Sequence, residues 1–195
     1  DRLPNLIGGM LDGSKRIQTI VADLKEFATP ENGLVKVPID LNRTLLSSVK
    51  MTRSLLQQAA PRLDVRLADG LPPVSGSSQK LEQVFINLIQ NACQALTGPE
   101  QTIAIHSEAD DGGGRVIVRI VDQGRGIGAE DLQHIFDPFF TTRRKHGGTG
   151  LGLPICQRIV TDHGGTLAFA SQMGVGTTVT VVLPAATDRE PERVS

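Results

Sequence analysis

Asp122-Gln123-Gly124-Arg125-Gly126-Ile127 and Gly147-Gly148-Thr149-Gly150-Leu151-Gly152-Leu153 decide how this 195-residue chain is read. Between them stand Phe136-Asp137-Pro138-Phe139-Phe140-Thr141-Thr142 and the basic run Arg143-Arg144-Lys145. Two glycine turns that bracket an aromatic hinge and three cations suit closure over a polyphosphate. The remaining elements can be placed around that site.

Immediately before the first turn, Val116-Ile117-Val118-Arg119-Ile120-Val121 reads as a strand, and Asp122 ends it. A carboxylate buried there needs a hydrogen-bond donor or costs several kcal/mol. The exocyclic amine of adenine is such a donor, whereas guanine presents an acceptor oxygen, a preference of roughly 1–3 kcal/mol on the scale of bidentate base pairs. Gly124 and Gly126 are expected to let backbone approach the base. The second glycine run is not a Walker loop, because no Gly-Lys-Ser/Thr follows it. Gly148, Gly150 and Gly152 lead straight into a helix, whose free N–H groups and positive dipole end hold phosphate oxygens.

Working outward, the spacing predicts a helix over 78–96. Leu81, Val84, Phe85, Leu88, Ala92, Ala95 and Leu96 share one face, as the 100° step requires. The opposite side carries Gln83, Asn87, Gln90, Asn91 and Gln94, where an ordinary solvated face is rich in Lys and Glu. Carboxamides offer oxygen to a hard cation and NH₂ to phosphate without adding charge. Mg²⁺ keeps several waters and substrate phosphates, so one or two amide oxygens suffice.

The rest of the chain is punctuated clearly. Residues 2–28 read as one amphipathic helix with Leu3, Ile7, Met10, Ile17, Val21 and Leu24 on a 3–4 spacing, a seam that asks for partners outside its own domain. Thr29-Pro30 and Glu31-Asn32-Gly33 end it. A strand is expected at 35–37, a helix at 43–59 capped by Asp40 or Asn42, and a strand at 65–67. Leu71-Pro72-Pro73-Val74 leads into a loop. Strands at 103–105 and 116–121 are antiparallel across Asp110-Asp111-Gly112-Gly113-Gly114. A helix spans 153–162, and strands at 166–170 and 177–183 close the domain before a charged tail from Thr187.

A net charge of −1 and a pI near 6.5 argue against a nucleic-acid partner, which needs a basic surface. Cys93 and Cys156 fall in predicted helices and read as small buried hydrophobes in a reducing compartment. No apolar run approaches the roughly 20 residues of a membrane span. The expectation is a cytoplasmic segment without membrane contact, whether or not a longer parent is membrane-anchored.

Taken together, these residues resemble the ATP-binding domain of bacterial two-component sensor histidine kinases, of the GHKL or Bergerat superfamily. Four boxes match in order: Asn87-x-x-x-Asn91-Ala92, Asp122-x-Gly124-x-Gly126-Ile127, Phe136–Phe140, and Gly148-Thr149-Gly150-Leu151-Gly152-Leu153. Gly174-x-Gly176-Thr177 adds a further turn. The resemblance implies an α+β fold over 37–184, a two-layer α/β sandwich with a mixed, mainly antiparallel sheet and helices on one face. It implies that 1–30 is the second helix of a dimerisation and phosphotransfer domain, 31–36 a hinge and 185–195 a disordered tail. ATP and Mg²⁺ would be the cofactors, with Asn91 as metal ligand, Asn87 beside the transferring phosphate and Asp122 on the adenine amine. The lid would span 140–150, with Phe140, Thr142, Arg143, Gly148, Thr149, Gly150, Leu151 and Gly152 around the nucleotide, together with Gly124, Gly126, Ile127 and Thr177. Asn87 and Arg143 would be the catalytic pair. Partners would be a response-regulator receiver domain and, in the intact protein, a second copy joined through the dimerisation helices.

In gyrase-type and MutL-type ATPases and the Hsp90 chaperones, a glutamate stands at the position of Asn87 and activates water. An amide takes no proton at neutral pH, so the resemblance implies phosphoryl transfer to another nucleophile. Two departures qualify the match. None of His106, His134, His146 and His163 is followed by an acidic residue, so none reads as the acceptor, which is expected on a segment preceding this chain. Gln94 also stands where the family often has a cation, which shifts phosphate contact to Arg143, Arg144 or Lys145. Rival readings are a serine kinase or anti-sigma-like switch of the same fold, and a module that holds nucleotide without chemistry.

Overall fold

The computed structural model describes residues 36–59, 62–143 and 148–186, with six isolated helical positions between 13 and 25. The expected helix at 2–28, the hinge after it, Arg144, Lys145, His146, Gly147 and the tail from Thr187 lie outside this description, those six positions apart.

Asp40 begins the first layer. Its carboxylate accepts from Arg43 N at 3.1 Å, which makes it rather than Asn42 the cap of helix α1 (Leu41–Met51). The expected helix at 43–59 is in fact two, because α2 (Arg53–Ala59) starts anew after Thr52. Thr52 Oγ1 donates to Ser48 O at 2.7 Å, the back-bonding that bends helices at threonine. Strand β1 (Val37–Ile39) sits two residues later than expected and pairs with β3 (Val74–Gly76), in a segment read as loop.

The main sheet has five strands: β2 (Arg62–Leu67), β4 (Thr102–Ala109), β5 (Arg115–Asp122), β6 (Thr166–Gln172) and β7 (Gly176–Pro184). They are ordered β2-β4-β5-β7-β6. Only β2–β4 is parallel. A parallel pair needs a crossover, supplied here by β3 and helix α3 (Ser78–Ala95). Alternation gives the sheet one covered face: Val116, Val118 and Ile120 are buried, while Ile117, Arg119 and Val121 are partly open. Asp122 continues the buried row and is the charged residue at its end.

Helices α3 and α5 (Gly152–Asp162) lie over that face. Leu81, Val84, Phe85, Leu88 and Ile89 of α3 are at most 1% exposed and pack with Ile103, Ile105, Ile120, Ile159 and Leu183. Side chains of this size contribute roughly 1.5–3 kcal/mol each on full burial. Phe85 and its neighbours thus take the anticipated face of α3; Ala95 and Leu96, at its end, are only half-buried. A four-residue helix, α4 (Ala129–Leu132), follows the first glycine turn. The expected two-layer sandwich, with a mixed, mainly antiparallel sheet, is the observed architecture.

His163 ties the two covering helices together. It is 2% exposed; its Nδ1 lies 2.7 Å from Ile159 O, and its Nε2 accepts from Ser77 N at 3.0 Å. Ser77 is the N-cap of α3. The C-terminal end of α5 is therefore fastened to the start of α3, and the helices run antiparallel.

Candidate nucleotide-binding site

The polar side of α3 borders a cavity, with Asn91 and Gln94 at its exposed end. Gln83, Asn87, Gln90, Asn91 and Gln94 all line a cavity of about 390 Å³. Its opposite wall is formed by Thr141, Thr142, Arg143, Gly148, Thr149 and Gly150. Asn91 Nδ2 donates to Asn87 Oδ1 at 3.2 Å, an i,i+4 amide pair that fixes the orientation of both groups.

The N-terminus of α5 closes one end of this space. Leu151 precedes the helix without capping it by a side chain, so the first-turn N–H groups keep their capacity for an anion. Gly152 is needed there for room: a Cβ would lie 2.5 Å from Asn87 Nδ2. Helix end and amide are thus in direct apposition. Leu151 was expected at the nucleotide, but its side chain is fully buried in the core. What it contributes is the anchoring of the turn: Leu151 N donates to Thr149 Oγ1 at 3.3 Å. Phe139 N donates to Gly150 O at 3.0 Å, and Gly148 N to Arg143 O at 3.2 Å, which joins the two stretches of chain forming this wall.

A second cavity, of about 340 Å³, adjoins the first. Asn91, Gln94, Ile127, Asp131, Thr142, Arg143 and Leu153 line both. This lobe is apolar, walled by Leu88, Ala92, Phe169, Met173 and Val179, with Asp122 and Thr177 among its polar groups. Asp122 is 5% exposed, and Oδ1 accepts from Gly124 N at 2.9 Å. Burial pushes its carboxyl above the ordinary value, against the opposing pull of the Gly124 and Thr177 backbone bonds. The donor that a buried carboxylate needs is thus supplied in part by the fold itself. Gly124 already satisfies one oxygen, leaving further acceptor capacity for a ligand.

The glycines of the first turn also make room for packing, and Gly126 lines the apolar lobe. A Cβ on Gly124 would stand 2.5 Å from Ala95 O, and Gly126 has φ +72° with a Cβ position 2.1 Å from Gln172 O. They let the loop thread between the end of α3 and the β6–β7 turn. Gly124 lines neither cavity. Arg125 N donates to Ala95 O at 3.0 Å, and Arg125 O accepts from Gly174 N at 2.8 Å.

Several participants escaped the sequence reading. Ser171 Oγ accepts from Ile127 N at 2.8 Å, donates to Gly176 O at 3.0 Å and lies 2.9 Å from Thr177 Oγ1. It joins the loop to β7, and only its place opposite Thr177 in the β6–β7 register points to it. Asp131, Ile135 and Phe169 line the lobes from elements with no glycine motif, and Met173 lines the apolar one from beside Gly174. His106 sits on the open sheet face beside Asp64, and His134 pairs with Asp137 at 2.7 Å.

An amide-lined polar lobe facing a helix N-terminus, joined to an apolar lobe holding one buried carboxylate, defines an adenine-nucleotide site of the GHKL type. Residues 76–187 match the family of histidine kinase-, DNA gyrase B- and HSP90-like ATPases, and the chain belongs to that family. Within it, the chain corresponds to the ATP-binding catalytic portion of sensor histidine kinases. It is 35% identical over 175 residues to sensor histidine kinase ZraS of Escherichia coli K12, an alignment covering 90% of this chain and 36% of that protein. The structure of histidine kinase ThkA in complex with response regulator protein TrrA superposes with a TM-score of 0.77 at 26% identity, over 97% of this chain and 53% of that one. Full-length ShkA in complex with AMPPNP shares the fold, with a TM-score of 0.81 at 22% identity over 99% of this chain and 41% of that one. The chain spans well under half the length of the first curated relatives it matches, from 26% to 40%.

Proposed function

We propose that this segment binds Mg-ATP and transfers the γ-phosphoryl group to a histidine on another segment of the intact kinase, for relay to an aspartate of a response-regulator receiver domain. The observation that carries the proposal is the placement of all five α3 carboxamides on one cavity wall, against the uncapped start of α5. Asp122 occupies the adjoining apolar lobe, where it accepts the adenine amine.

The donor set fits Mg²⁺. Among the described residues no cluster of three or more His, Cys, Asp or Glu could hold a metal, which leaves hard amide oxygens shared with phosphates, as this ion prefers. Asn91 would supply the protein oxygen, its NH₂ being engaged by Asn87. When bound, the cation neutralises charge on the β- and γ-phosphates. Asn87 positions the terminal phosphate region without accepting a proton, and Arg143, where the two lobes join, adds positive charge along the phosphate chain. The carboxylate in the polar lobe, Asp131, lies on α4 at the junction with the base lobe rather than on α3.

By sequence pattern, residues 1–30 supply the second dimerisation helix of a homodimer, and the segment works on the cytoplasmic side. Among the described residues no helix is long and apolar enough to cross a membrane. The test mixes the chain with a separate fragment carrying the acceptor helix and with labelled ATP. Acid-labile phosphate on that fragment is the expected result. Acid-stable phosphoserine, or no transfer to any acceptor fragment, overturns the proposal.

A further inference from the structure

Two arginines meet where the lobes join. Arg143 lines both cavities, and Arg125 lines the apolar one from the first glycine turn. One is held by its side chain, the other by its backbone. The Arg143 guanidinium donates through Nη1 to Gln94 Oε1, so the last amide of the α3 stripe holds a lid cation over the junction. Arg125 is gripped by its backbone, through Ala95 on one side and Gly174 on the other.

The Arg125 charge reaches Arg143. Partial burial and then the Arg125 charge hold the Arg143 guanidinium below its ordinary value, although an arginine stays charged in any case. Like charges held together over a cavity store an electrostatic cost that an anion placed between them relieves. No acidic side chain within 4.0 Å pairs with either of them among the described residues. Planar guanidiniums are also the side chains best matched to phosphate.

We propose that Arg125 and Arg143 form an anion clamp at the junction of the lobes, for the phosphate nearest the ribose, and that Gln94 is the positioning residue that sets Arg143 within it. This inference rests on the Mg-ATP reading above and adds two residues to it. Gln94, an amide at the end of a stripe of amides, acts here as an acceptor for a cation rather than as a ligand for the nucleotide. A clamp at this position grips the sugar-proximal phosphate, so AMP already senses it, and adenosine does not.

The test is calorimetric titration of adenosine, AMP and ADP into the full chain and its variants. Arg125→Ala is expected to weaken AMP and ADP about tenfold, the scale of one charge-assisted hydrogen bond, and to leave adenosine unchanged. Gln94→Ala should weaken both nucleotides about threefold, and should have no effect when Arg143→Ala is already present, since the amide acts through that arginine. Gln94→Lys should recover affinity by placing a cation at the junction directly. Equal losses for adenosine and AMP, or a Gln94→Ala effect that persists without Arg143, would overturn the clamp. Asp122→Asn separates the two levels: if wild type binds ATP and Asp122→Asn weakens it while Arg125→Ala does nothing, only the clamp fails. If wild type binds no nucleotide, the site reading fails with it.

Discussion

Replacing Asp122 by asparagine changes a single atom in the apolar lobe. The new amide oxygen can still accept from Gly124 N, the bond that measures 2.9 Å in wild type. The second position turns from acceptor to donor and meets the donor amine of adenine. Losing a charge-assisted hydrogen bond in a desolvated pocket costs about 1.5–3 kcal/mol, which is roughly a 10- to 150-fold rise in Kd for ATP. The fold should not suffer. Burial raises the Asp122 carboxyl above its ordinary value, so its charge is a cost to the native state at neutral pH that the amide removes. The sharper readout is the base. Inosine triphosphate carries an acceptor oxygen where adenine carries its amine, so Asp122→Asn should bind it better than wild type does. Calorimetry with both nucleotides, beside a thermal melt, makes the comparison. An unchanged ATP-to-inosine-triphosphate ratio, with the variant folded, refutes the placement of Asp122 on the base. Acidification gives a second view. As pH falls through the raised value the native state takes up a proton before the unfolded state does, so this group stabilises the fold on acidification. The same proton removes an acceptor, and ATP affinity should fall there in wild type but not in Asp122→Asn.

Gly152→Ala should leave the melting temperature nearly unchanged, since helix α5 gains propensity, yet slow phosphoryl transfer by about tenfold or more, because the new methyl displaces the Asn87 amide 2.5 Å away and small misplacements are costly in catalysis. Gly126→Ala should lose about 2–4 kcal/mol in denaturant titration: φ is +72°, and the Cβ would meet Gln172 O, a backbone atom, at 2.1 Å. His163→Phe keeps the ring but orphans Ser77 N and removes the bond to Ile159 O, which should cost about 1–3 kcal/mol in the same measurement.

The sequence disclosed most about the parts whose function rests on periodicity or on glycine. The α3 stripe was legible because five carboxamides in place of Lys and Glu are improbable on a solvated face. Asp122 was legible because it ends a strand whose inward row is apolar. Less visible were features set by other segments. Thr52 breaks the first helix through a hydroxyl bond that no periodicity encodes. β3 is only three residues long and exists because β1 pairs with it. Gly124 and Gly126 stood out, but their packing role did not, because Ala95 O and Gln172 O are neighbours in space and not along the chain. Ser171 carries no motif at all and becomes a hub only through its register with Thr177.

The main sheet does not close on itself, and its two margins are guarded differently. β2 presents Arg62, Asp64 and Arg66, charges that discourage another chain from adding a strand. β6 has no charged residue along Thr166–Gln172; its C-terminal end is shielded by the Asp122–Ile127 loop through Ile127 N and Ser171 Oγ. The loop proposed to receive the base is therefore also a guard against self-association, and damage there should appear as turbidity as well as lost affinity.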